Sequence, residues 1–154
     1  MAKRHASVVT LEHVRDLLDR GEAEKAFEEL SRTRDSSPDV DNARAVCLMR
    51  LGRPECAVAI YQAMLLKGGV AADPSAPVEY VVNFATALLL AGNTAGGIRM
   101  LDALGRTDHP SASRLRAAVA RWRTSLGILR RLLFAAYGAV PAKPVVLDFP
   151  PGDA

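Results

Sequence analysis

Three glycines, Gly21, Gly52 and Gly92, each close an apolar-periodic run and share one surrounding frame. Seven residues before each stands Val14, Ala45 or Ala85, and four before stands Leu17, Leu48 or Leu88. Five after comes a tiny residue, Ala26, Ala57 or Gly97, and nine after comes Leu30, Tyr61 or Leu101. A glycine in that place accepts the left-handed backbone that ends a helix, so a second helix can start a few residues later. The expected unit is a helical hairpin. Facing small residues, Ala45 against Ala57 and Ala85 against Gly97, let its two axes approach. Pro54 suits a first helical turn, Asn93-Thr94 offers a side-chain cap, and Pro38 and Pro110 end second helices and turn the chain. Aromatics are only 5% of the residues, and the apolar ones are mostly Ala, Leu and Val. That composition suits closely packed helices and weighs against β architectures.

The stretch Leu51-Gly52-Arg53-Pro54-Glu55-Cys56-Ala57-Val58-Ala59-Ile60-Tyr61, preceded by Ala45 and Leu48, resembles the tetratricopeptide repeat family. The unit from Asn83-Phe84-Ala85 through Leu88, Gly92 and Leu101 is similar, and Leu17, Gly21, Ala26 and Pro38 carry a fainter first copy. The family unit is a helix-turn-helix of about 34 residues. The resemblance implies an all-α, right-handed superhelical stack with repeats at about 7–38, 38–72 and 76–109, capped by a helix over 110–137, in one helical domain over 1–140. The glycines stand 31 and then 40 residues apart, which puts a longer loop at 67–77. Such a stack offers a curved inner face that grips an extended peptide or a helix. By the resemblance, that face carries Leu11, Arg15, Leu18 and Asp19, then Asn42, Val46, Met49 and Arg50, then Glu79, Val82, Asn83 and Thr86. Asn42 and Asn83 suit a ligand's backbone amides, Arg15 and Arg50 its carboxylates, and Met49 an apolar side chain. Leu11, Ala43 and Glu79 stand where members that grip a C-terminal carboxylate need basic or Asn residues, which points away from that activity.

The net charge is +3, and its whole excess lies in residues 110–140, which hold Arg114, Arg116, Arg121, Arg123, Arg130 and Arg131 and no Asp or Glu. At 100° per residue these flank an apolar stripe of Leu115, Ala118, Val119, Trp122, Leu126, Leu129 and Leu133, with a break or bend near Ser125 or Gly127. Trp122 reads as core. The arginines form an alternative surface for nucleic acid or an anionic phospholipid.

No catalytic constellation is visible. His5, His13 and His109 pair with no Cys or acid at a mechanistic spacing, and Glu24, Glu28 and Glu29 read as a solvated ion-pair face. Cys47 and Cys56 match no zinc pattern and read as buried thiols in a reducing compartment. Gly68-Gly69 and Gly96-Gly97 lack the context of a phosphate loop. No metal, cofactor, secretory leader or membrane span is expected. Residues 141–154 hold four prolines and cannot be helical. Val145, Val146, Leu147 and Phe149 are too apolar for a solvated tail, so the segment is expected to dock on its own chain or on a second copy, giving a homodimer. The expectation is a cytoplasmic, non-enzymatic scaffold that binds a protein or peptide, with an anionic partner or self-association as alternatives.

Overall fold

Each helix starts and stops where local chemistry dictates. In the computed structural model, residues 2–66, 73–105, 107–137 and 144–152 are described, with side chains from Leu11 onward. Helix α1 (Ala2–Asp19) and α2 (Ala23–Arg32) form a first hairpin, α3 (Pro38–Arg50) and α4 (Pro54–Tyr61) a second, and α5 (Val78–Leu90) and α6 (Thr94–Ala103) a third. Helices α7 (Pro110–Ser125) and α8 (Ile128–Tyr137) follow. The described residues contain no strand, so the chain is all-α there. None of its helices is long and apolar enough to cross a membrane, among the described residues.

The three turn glycines do what their frame predicts, with φ of 77°, 72° and 82°. The same pair of bonds closes each helix. Gly21, Gly52 and Gly92 donate to the carbonyls of Leu18, Met49 and Leu89 at 3.0–3.2 Å, and the next residue's N–H reaches Leu17, Leu48 or Leu88 at 2.8 Å. This is one Schellman stop used three times. Prolines open helices rather than only ending the preceding ones: Pro38, Pro54 and Pro110 are first residues, where a missing N–H is harmless. The Ser37 hydroxyl accepts from the Val40 N–H at 3.4 Å, and Asn93 Oδ1 accepts from the Gly96 N–H at 2.9 Å.

Within the hairpins the small residues meet. Ala26, Ala45, Ala57 and Ala85 have no exposed surface. At Gly97 a Cβ would come 2.7 Å from Leu89 Cγ and 2.9 Å from the Ala85 carbonyl, so backbone contact between α5 and α6 needs this glycine. The first helices also touch in series, α1 with α3, α3 with α5 and α5 with α7, and each second helix packs on the next first helix. One core cluster joins the first two hairpins to α5 through Tyr61 and Phe84, whose rings lie 5.9 Å apart. A second joins α5, α6 and α7 around Leu89, Leu115 and Trp122, and takes in Val145 from the C-terminal segment.

The break expected near Ser125 or Gly127 is present and divides 110–137 into two helices, because Leu126 adopts an extended conformation that buries its own side chain before Gly127, and three other expectations need correction. The apolar stripe therefore stops at Leu126, and Leu129 and Leu133 are exposed. Helix α1 begins at Ala2, not near residue 7, although the His5 side chain lies outside the described residues. Cys56 is exposed on α4, while Cys47 is buried as expected. Of the longer loop at 67–77, residues 67–72 lie outside the described residues, and α4 runs into it through a π-helical turn, Gln62–Leu66, that places Leu65 in the core.

Candidate functional site

Helices α3, α5 and α7 lie side by side, α3 touching α5 and α5 touching α7. Across them lies the C-terminal segment, residues 144–152, non-helical and bent at Asp148, Phe149 and Pro151. Val145 is only 5% exposed and sits in the second core cluster, with Leu147 and Phe149 packed against that cluster. Arg121 of α7 pairs with Asp148 at 2.7 Å, and the Arg114 guanidinium stands 5.5 Å over the Phe149 ring. Phe149, Pro150 and Gly152 share a small cleft with Val82, Asn83 and Thr86 of α5 and with Ser111 and Arg114 of α7. The segment thus runs from α7 over α5 to α3.

At α3 the contact is with backbone. Arg50 Nε donates to the Pro151 carbonyl at 3.2 Å and one terminal nitrogen donates to the Gly152 carbonyl at 3.1 Å. Its other terminal nitrogen donates to the Leu18 carbonyl at the end of α1, 2.8 Å away, which holds the guanidinium in that orientation. Gly152 has a φ of 80°, and a Cβ there would stand 2.8 Å from Met49 Cε and Val46 Cγ2. Both its conformation and its space require glycine.

Under the segment a polar group is fully enclosed. The Tyr61 hydroxyl donates to Asn42 Oδ1 at 2.8 Å, and Asn83 Nδ2 donates to the same oxygen at 3.0 Å. Burial pushes the Tyr61 phenol well above its ordinary range. Thr86 donates to the Val82 carbonyl at 2.9 Å. These bonds join α3, α4 and α5.

Of the residues assigned to the inner face, Asn42, Val46, Met49, Arg50, Val82, Asn83 and Thr86 are brought together at this place. They are not an open surface. Asn42 and Asn83 are buried and bonded to one another, and Arg50 binds carbonyl oxygens rather than a carboxylate. The remaining residues have other settings: Leu11 packs on the first core cluster, Arg15 is exposed, Leu18 is core, and Glu79 lies 3.4 Å from His109 Nε2.

The six arginines do not act as one set. Arg114 and Arg121 hold the C-terminal segment, and Arg116 donates to carbonyls of Leu101 and Thr107 at 3.5 and 3.4 Å and to that of Gly105. Arg123 near the end of α7 and Arg130 and Arg131 on α8 are exposed. Residues missing from the expected site are Ser111 and the segment's own Gly152. The apolar residues among the prolines signalled docking, but nothing local marked Gly152 as a contact.

No group of three or more His, Cys, Asp or Glu able to hold a metal occurs among the described residues. On α2, Glu28 and Glu29 face Arg32 at 3.6 Å and His13 at 3.3 Å, an exposed ion-pair face as expected. No family model, curated protein or solved structure matches this chain. What the groove does must be judged from its own residues.

Proposed function

We propose that the chain is a tetratricopeptide-type scaffold, a right-handed superhelical stack of three hairpins and terminal helices, that binds an extended segment of a partner protein along its inner face. One observation carries this: a non-helical, proline-containing stretch already lies across α7, α5 and α3, held by apolar anchors, charge pairs and carbonyl bonds. These are the contact types by which grooves hold extended peptides. No chemistry of its own is assigned to it. Both cysteines are free thiols, which supports a reducing compartment such as the cytoplasm. The segment's place on its own chain favours the cis arrangement over self-association through it.

The test is a peptide array probed with the full chain and with Ser111→Trp and Arg50→Ala variants whose helix content and melting are first checked. A set of bound peptides lost in both variants is the expected result. Binding indifferent to both substitutions overturns the reading.

A second reading, an anionic phospholipid surface, has its own observation. Helix α8 touches the molecule through Phe134, edge-on to Trp122 with centroids 5.3 Å apart. Ile128, Leu129, Leu132, Leu133 and Tyr137 are exposed on the opposite side, with Arg130 and Arg131 at the two margins. That outward apolar arc of roughly 180°, at 100° per residue, suits an interfacial helix with flanking cations better than base edges. Flotation with phosphatidylserine-containing vesicles should be salt-sensitive and lost in Leu129→Glu/Leu132→Glu. Equal flotation with neutral vesicles, or none, dismisses it.

A further inference from the structure

Resting on the scaffold reading, we infer that the groove's external ligand is an extended peptide with the chemistry of residues 145–152, and that the chain's own C-terminal segment is its intramolecular competitor. The segment is an imprint of what the groove accepts. Five of its eight positions are specified. Val145 fills an apolar site, Leu147 packs against the same cluster, Asp148 meets Arg121, Phe149 lies under Arg114, and Gly152 needs the positive φ and the bare Cα against Val46 and Met49. Val146 and Pro150 are exposed, so their side chains are read weakly. The two prolines restrict the backbone and bar a helix before binding, and Arg50 takes the last two carbonyls whatever side chains accompany them. The partner segment is therefore an apolar residue, a variable one, a second apolar one, an acid, an aromatic, two prolines or other non-helical residues, and a glycine.

The cis segment is held firmly enough to occupy the groove and loosely enough to leave it. Only Val145 among its side chains is fully buried, and the Arg121–Asp148 pair is more than half exposed, which limits its worth in water. Its covalent attachment supplies a local concentration in the millimolar range, so a docked tail raises the apparent Kd of any competitor.

A fluorescent peptide of the sequence of residues 144–152 is titrated by anisotropy onto the wild-type chain and onto full-length Phe149→Ala and Gly152→Ala variants, each verified by circular dichroism. The tail variants should bind it at least about tenfold more tightly than wild type, as expected when the docked tail leaves about one groove in ten open. The same peptide with its glycine replaced by alanine should bind weakly, and Arg50→Ala should remove binding. On the wild-type chain, which needs no substitution, excess peptide should speed amide exchange in residues 144–152. Binding no tighter to folded tail variants than to wild type, with exchange unaltered, makes the segment a fixed part of the fold and overturns the inference. If the tail variants capture other peptides through Arg50 and Ser111 but not this one, the scaffold stands and this inference alone falls. If they capture none, both fall.

Discussion

Gly97 shows how tertiary contact reverses a local preference. In isolation a helical glycine is less favourable than alanine by about 1 kcal/mol. Here a methyl group would meet Leu89 Cγ and the Ala85 carbonyl at 2.7 and 2.9 Å. Gly97→Ala should therefore lower stability by about 1–3 kcal/mol in urea unfolding, the usual cost of overpacking. A gain in stability would mean the hairpin is looser than its geometry. Cys47 makes a second residue-scale prediction. Burial pushes its thiol up to about 11 from 9.0. Below about pH 9 folded and unfolded chains both keep the proton, and between about 9 and 11 only the folded chain does, so stability falls as pH rises through that window. The loss amounts to about 2–3 kcal/mol by pH 11, and Cys47→Ala should flatten the slope in denaturation curves taken from pH 8 to 11. The buried Tyr61 phenol pushes in the same direction at higher pH. Cys56, exposed, should react with a thiol reagent well before Cys47 at pH 8. The family resemblance sets Asn42 and Asn83 on an open, ligand-facing surface, whereas they are buried, and their mutual bond and the one from Tyr61 depend on how separate hairpins stack. No spacing along the chain records that.

At the scale of elements, the hairpins are legible because each stop is local: one glycine, one leucine four residues earlier and one small residue five later suffice. The end of the molecule is less so. A continuous apolar stripe through Leu129 and Leu133 fits an unbroken helix as well as a broken one, and the choice is made by Leu126 leaving helical conformation to bury its side chain. The two halves should respond oppositely to substitution. Trp122→Ala should cost about 3–5 kcal/mol, as for a large side chain removed from a core. Leu129→Glu on α8, where the leucine is 71% exposed, should change stability by no more than about 0.5 kcal/mol. Thermal unfolding of both variants checks this, and a large loss from the second would restore the single long helix.

For the whole molecule, the C-terminal segment decides what α3, α5 and α7 present to solvent. That it docks is legible from Val145, Leu147 and Phe149 set among prolines. Its path is not, because its bonds to Arg50 run through backbone carbonyls that every residue owns. Val145→Asp should expel it, since an unpaired carboxylate cannot enter the apolar core cluster that Val145 joins, and limited proteolysis within 144–152 should quicken more than about tenfold. Asp148→Asn, at a solvent-washed pair, should shift stability by about 1 kcal/mol or less. A different outcome of these contacts concerns how the molecule comes apart. Hairpins that touch mainly their neighbours can unzip from either end. Arg50 grips Leu18 at the end of α1 and Pro151 and Gly152 near the last residues, so one side chain ties the head of the row to its foot, and each departure of the tail strips two of the bonds that hold that guanidinium.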